Sequence, residues 1–116
     1  MKIFHNPSCS KSRASLERIQ SHAADETIEI IEYLKATPTF AELQDLLKKL
    51  GLPAQAIVRQ NESLFLEKHS KLDLNDDAAV LRALIADPIL IERPIIVRGE
   101  RAVIGRPPEN VDLLWK

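Results

Sequence analysis

The chain predicts an α/β fold, a mixed sheet flanked by helices with an inserted helical region. Three observations carry this. Short runs rich in β-branched residues stand near both ends of the chain. Between about residues 39 and 87 the apolar spacing is almost wholly helical. A hairpin signature and a final helical stretch then close the chain. Its 116 residues suit one domain with one core over residues 1–116.

Each element has its own local signal. Lys2-Ile3-Phe4-His5 is short and β-compatible, and Asn6-Pro7 stops it. From Ser10 onward Ala14, Leu16, Ile19 and Ala23 recur at spacings compatible with one helix face. Thr27 to Leu34 nearly alternates apolar with polar residues and carries three isoleucines, which reads as a second strand. Thr37-Pro38-Thr39 breaks the chain. Thr39 with Glu42 forms a capping-box pattern ahead of Leu43, Leu46, Leu47 and Leu50, and Gly51 is placed to end that helix.

Pro53 opens a short helix expected to run through about Gln60, and Glu62 to His69 reads as another. Asn75 is the expected cap of a helix over 76–86, with Val80, Leu81, Leu84 and Ile85 inward and Pro88 beyond its end. Pro94 to Arg98, a turn at Gly99-Glu100, and Arg101 to Gly105 read as a β-hairpin. Pro107-Pro108-Glu109 starts a last helix, with Val111, Leu114 and Trp115 available to dock. Without the helical block, the order is compatible with a thioredoxin-like β-α-β-β-β-α plan.

Composition removes several classes of function. A net charge of −1 provides no global field for nucleic acid or an anionic membrane. An aromatic content of 4% argues against base stacking. No apolar run is long enough to span a bilayer, and the first residues lack a signal-peptide core. A single cysteine forms no internal disulfide, which fits a reducing compartment, so the expected location is the cytoplasm.

That cysteine, Cys9, carries the chemistry. A lone cysteine is more often a small buried hydrophobe than a catalyst. Here it falls just before a predicted helix, where free N–H groups and the helix dipole stabilise a thiolate. Ser10 and Ser12 add hydroxyl donors, Lys11 and Arg13 add positive charge, and His5 is near enough to donate a hydrogen bond. The same groups form an anion site. The local pattern is Cys-x-x-Ser, so any redox turnover needs thiols from outside the chain. His5, His22 and His69 have no convincing metal-ligand spacing with Cys9, and no metal is expected.

Among the arginines, Arg18, Arg82, Arg98 and Arg101 have the neighbours of solvated faces or hairpin edges. Arg59, Arg93 and Arg106 stand at element ends, where side chains can converge. The alternative is three separate surface ion pairs. If they do meet, the planar guanidinium fork matches a tetrahedral oxyanion.

At this point the sequence resembles the glutaredoxin-dependent arsenate reductase family, ArsC and its close relatives, along almost the whole chain. The family's opening signature is present as His5-Asn6-Pro7-Ser8-Cys9-Ser10-Lys11-Ser12-Arg13. Glu32-Tyr33-Leu34 with Thr37-Pro38-Thr39 resembles its passage into the helical insert, and Arg59-Gln60-Asn61 its Arg-x-Asn element. Pro88 to Ile95 resembles its central block, and Gly105-Arg106-Pro107-Pro108-Glu109 its last motif.

The resemblance implies a thioredoxin-like fold with an inserted helical region and an oxidoreductase that reduces arsenate. It implies Cys9 as nucleophile and Arg59, Arg93 and Arg106 as the oxyanion-binding triad. His5, Asn6, Ser12, Arg13 and Pro94 are the implied supporting residues, Pro94 as a cis-proline beside the cysteine. The implied co-substrate is glutathione and the implied partner is glutaredoxin, with no bound cofactor, no nucleic acid and no membrane. Two other readings stay open. One is a thiol-dependent oxidoreductase or transferase of the same family acting on another oxyanion or thiol. The other is an Spx-like regulator that binds RNA polymerase, although Ser12 replaces the second cysteine of that group's Cys-x-x-Cys switch.

Overall fold

β1 (Lys2–His5) is an interior strand of a four-stranded sheet. It pairs in parallel with β2 (Glu29–Glu32) and antiparallel with β3 (Ile95–Arg98). β3 pairs antiparallel with β4 (Arg101–Ile104), giving the order β2-β1-β3-β4. A parallel pair cannot be joined by a tight turn, and α1 (Ser10–His22) makes the crossover. The structure is a computed structural model and describes residues 1–116. Its chain forms two compact units, Met1–Ala36 with Arg93–Lys116, and Thr37–Glu92.

The first unit has the expected thioredoxin-like order: β1, α1, β2, then β3, β4 and a final helix. Ile3, Ile95 and Ile96 on the two interior strands are fully buried. The strand expected over Thr27–Leu34 shortens to Glu29–Glu32. Its only partner is the four-residue β1, and the ladder runs from Lys2 with Glu29 to His5 with Glu32. The hairpin turn is as expected. Gly99 takes φ 61° and Glu100 does not go positive, the preference of a II′ turn.

α1 buries Ile19 and Ala23 of its expected apolar face and packs Leu16 against the same core, and it adds two serines to that inward side. Ser12, Ser15 and Ile19 are buried, whereas Ala14 and Leu16 are only partly covered. Burying two hydroxyls is tolerable because both are hydrogen-bonded, as described below. Ile19 joins Ile3, Ile96, Val111 and Leu114 in one apolar cluster.

The final helix is 3₁₀ in form and spans Pro108–Trp115. Val111 and Leu114 dock it as expected, and Trp115 stacks on His22 at 4.4 Å between ring centroids. Arg18 and Arg98, read from sequence as surface residues, hold this segment. Arg18 forms a two-pronged pair with Asp112 at 2.9 and 2.7 Å. Arg98 bonds Glu26 at 2.9 Å and the Leu114 carbonyl at 3.1 Å, with its guanidinium 4.8 Å from the Trp115 ring centre. The Arg18 pairing, followed by that of His22, holds the Asp112 carboxyl well below the usual carboxylate range.

The second unit is helical. α2 (Phe40–Leu50) has the full reciprocal capping box, Thr39 Oγ1 accepting from Glu42 N–H and Glu42 Oε1 from Thr39 N–H, each at 3.1 Å. Gly51 ends the helix in the left-handed region at φ 68°. A 3₁₀ turn, Ala54–Ile57, follows, shorter than the helix expected through Gln60. Val58 is extended and bridges to Ile91, which stops the turn. α3 (Ser63–Lys68) and α4 (Asp77–Ala86) complete the unit. Asp76 caps α4, its carboxylate accepting from Ala79 N–H, so the expected cap at Asn75 is one residue early. Val80, Leu81 and Leu84 are buried as expected, but Ala83 is the fourth inward residue and Ile85 is partly exposed. No helix is long and apolar enough to cross a membrane.

Candidate active site

Cys9 occupies the N-cap position of α1, with extended backbone angles (φ −97°, ψ 123°). Asn6-Pro7 ends β1, and Cys9 N–H donates to the Asn6 carbonyl at 3.0 Å, closing the loop into the helix. Arg13 N–H then donates to the Cys9 carbonyl at 3.0 Å, as in the first helical turn. The sulfur is partly exposed and is the only cysteine sulfur in the chain.

Burial pushes the Cys9 thiol up, but the pull in the other direction is stronger. The backbone N–H groups of Ser12 and Lys11 and the charges of Arg93 and Arg106 favour the thiolate, and the net shift is downward. Arg106 Nη1 lies 3.8 Å from Cys9 Sγ and 3.3 Å from the Arg93 carbonyl. Two of the three singled-out arginines thus bring their charge to the cysteine within the first unit.

Arg59 belongs to the second unit. Its Nη1 donates to the Ile89 carbonyl at 3.0 Å, and its Nη2 pairs with Glu62 at 2.8 Å. Its backbone N–H donates to the Leu90 carbonyl at 2.8 Å, fixing the segment just beyond the Val58–Ile91 bridge.

The supporting residues take roles that sequence alone did not separate. Ser12 is fully buried, and its hydroxyl is occupied away from the sulfur. It lies 2.6 Å from His5 Nδ1 and accepts from Asn6 N–H at 3.0 Å. Desolvation is the largest influence on His5 and lowers its pKa; Glu32 opposes this, and Arg13 adds to it. Burial therefore favours the neutral imidazole, whose Nδ1 shares a hydrogen bond with the Ser12 hydroxyl. Ser12 thus serves Cys9 through its amide and ties the loop to β1 through its hydroxyl. Asn6 Oδ1 accepts from Ser8 N–H at 3.0 Å, and Arg13 Nη1 donates to the Pro7 carbonyl at 2.8 Å. Both residues brace the loop.

Pro94 is buried, and the Arg93–Pro94 bond is cis; so is Arg106–Pro107. Gly105 N–H donates to the Pro94 carbonyl at 2.9 Å, holding the two arginine-bearing segments side by side. No cluster of His, Cys, Asp or Glu is arranged to hold a metal ion. The site is a partly exposed, electropositive loop whose amides and arginines favour the Cys9 thiolate, and it is suited to nucleophilic attack on a small oxyanion.

Two residues escaped the sequence reading, Ser15 and Asn110. Ser15 follows Ser12 by one helical turn, and that spacing is a signal that both hydroxyls share a face. Asn110 bonds the carbonyls of Ile104 and Arg106, six and four residues upstream, and no residue pattern there marks those contacts in advance.

Comparison with known proteins places these features in context. The family model described as the ArsC family matches residues 4–114. An arsenate reductase from Neisseria meningitidis serogroup A is 40% identical over 113 residues, covering 97% of this chain and 95% of its own. The uncharacterized protein YfgD of Escherichia coli K12 is also 40% identical, over 112 residues, covering 96% of this chain and 92% of its own. A solved structure of an arsenate reductase from Vibrio cholerae is 38% identical, covers 98% of each chain and superposes with a TM-score of 0.88.

Proposed function

The chain belongs to the ArsC family, and on that premise we propose that it is an arsenate reductase drawing its electrons from glutathione and glutaredoxin. The observation that carries this reading is the Cys9 loop: a partly exposed sulfur at a helix start, its thiol pKa lowered, with Arg106 3.8 Å away.

In the proposed cycle, arsenate docks against Arg93, Arg106 and the amides at the start of α1. The Cys9 thiolate attacks arsenic, a Cys9–arsenic bond forms, and one oxygen leaves as water. The arginines offset the negative charge carried by the adduct. Glutathione then displaces a second oxygen as water and becomes bound to arsenic. A glutaredoxin thiolate attacks that glutathione sulfur. The sulfur–arsenic electron pair stays on arsenic, which falls from the +5 to the +3 state, and a mixed disulfide departs. Water cleaves the remaining Cys9–arsenic bond, releasing arsenite and the thiol. Two thiols are oxidised to one disulfide for each arsenate reduced, and Cys9 ends as it began. Because the chain has no second cysteine, both of those thiols must come from outside.

A coupled assay with arsenate, glutathione and glutaredoxin tests this. The parent turns over, and Cys9→Ser does not; equal turnover in both rejects the mechanism. Arg93→Ala lowers kcat/KM by about 1.5–3 kcal/mol of transition-state stabilisation, the scale of a hydrogen bond to a charged group.

One observation favours a second reading. YfgD matches this chain at the same 40% identity as the Neisseria arsenate reductase, and its name carries no substrate. A tetrahedral oxyanion site does not by itself select arsenate. A panel of oxyanions and glutathione mixed disulfides decides the matter: exclusive turnover of arsenate ends the second reading.

A further inference from the structure

We propose that Ser15 and Asn110 are positioning residues that aim the Arg106 guanidinium at the Cys9 sulfur, a role that rests on reading Cys9 and Arg106 as the reaction site. From the last residue of β4 onward, three consecutive carbonyls, those of Ile104, Gly105 and Arg106, are held by side chains. Asn110 Nδ2 donates to the Ile104 carbonyl at 3.1 Å and to the Arg106 carbonyl at 3.2 Å. Ser15 Oγ donates to the carbonyl between them, that of Gly105, at 3.3 Å.

The consequence follows from peptide planarity. The direction in which a side chain leaves the backbone is set by the two peptide planes that flank its Cα. The Gly105 carbonyl lies in the plane before Arg106, and the Arg106 carbonyl lies in the plane after it. Ser15 pins the first and Asn110 the second. At the far end of the same side chain, Nη1 meets the Arg93 carbonyl and Cys9 Sγ. Ser15 also stands on α1, the helix that begins at the cysteine, so one rigid element carries both the sulfur and a tether for Arg106.

Gly105 makes this arrangement possible. A Cβ there would run into Ser15 Oγ and come within 2.8 Å of Pro94 Cγ. Its absence lets α1 and the Pro94 segment close on the backbone from which Arg106 departs. A fully buried hydroxyl aimed at that one carbonyl, plus an amide spanning the two beside it, exceeds what a simple turn requires.

The test uses a readout that does not depend on the substrate. Ionisation of Cys9 is followed by thiolate absorbance across pH in the parent, Ser15→Ala, Asn110→Ala, Arg106→Ala and the Asn110→Ala/Arg106→Ala double variant. The KM and kcat for arsenate are measured in the same set. Losing either tether weakens the acidity of Cys9 and raises KM, each on the order of two- to tenfold, the scale of one hydrogen bond. On an Arg106→Ala background, Asn110→Ala adds nothing further to either quantity. Unaltered Cys9 ionisation in the folded single variants, or full additivity with Arg106→Ala, overturns the proposal. Either single variant carries the test if the other fails to fold. A parent that ionises as expected but does not turn over arsenate refutes the functional reading and leaves the positioning role to be decided by the titrations.

Discussion

The sheet unit and the helical unit bury different kinds of side chain. Every buried polar or charged residue in the chain, His5, Ser12 and Ser15, lies in the sheet unit. The buried side chains of the helical unit, such as Leu43, Leu46, Ile57, Val80, Leu84 and Leu90, are apolar throughout. Burying a hydroxyl or imidazole has a desolvation cost that only a well-made hydrogen bond offsets. The sheet unit bears that cost around the start of α1, where His5 and Ser12 bond each other and the Cys9 loop and Ser15 bonds the Gly105 carbonyl. The difference separates two uses of a core. One holds a fold together by area; the other uses part of its interior to fix the positions of reactive groups.

Mutations should break the two units in different ways. The largest effect on stability belongs to the apolar core. Leu84→Ala, at a fully buried position, is expected to cost about 2–5 kcal/mol in a denaturant melt. A loss under 1 kcal/mol would mean that the site is loosely packed. Gly105→Ala comes next, because the added methyl meets Ser15 Oγ and Pro94 Cγ. It is expected to cost about 1–3 kcal/mol and to weaken Cys9 ionisation as well, which no apolar substitution in the helical unit has reason to do directly. Full stability together with native Cys9 acidity would show that the junction is slack. Thr39→Ala is the smallest. It removes half of the capping box of α2 and is expected to cost about 1 kcal/mol, read as a lower denaturation midpoint.

The parts of the fold legible in the sequence were those whose cause is local. The Thr39–Glu42 box, the Gly51 stop and the Gly99 turn each depend on residues within one turn of each other, and all three stand as expected. On α1 hydrophobic spacing found Ile19 and Ala23 but missed Ser12 and Ser15, because it ranks serine as outward; they face in because His5 and Asn6 satisfy the first and the Gly105 carbonyl, far along the chain, the second. The cap of α4 was misplaced by one residue because Asn75 and Asp76 are both good capping residues, and composition does not choose between neighbours. Arg18 and Arg98 looked solvated because their partners, Asp112, Glu26 and Trp115, lie far along the chain. For the site, Cys9 at a helix start was legible from the break at Asn6-Pro7 and the pattern after Ser10. The way in which Ser12 divides between its amide and its hydroxyl was not, since that depends on where β1 places His5.

The central claim is that this loop favours the Cys9 thiolate over the thiol. Its folded-state pKa is depressed, so the anion is favoured in the fold. The associated stabilisation is present above the ordinary thiol value and is lost as pH falls through the folded value. The direct measurement is the rate of alkylation of Cys9 in the folded protein against pH, compared with an unfolded peptide of the same opening segment. The account predicts an inflection in the folded protein clearly below the roughly 8.5 of a free cysteine, moving upward in Arg106→Ala. An inflection at or above that value in the parent would contradict it.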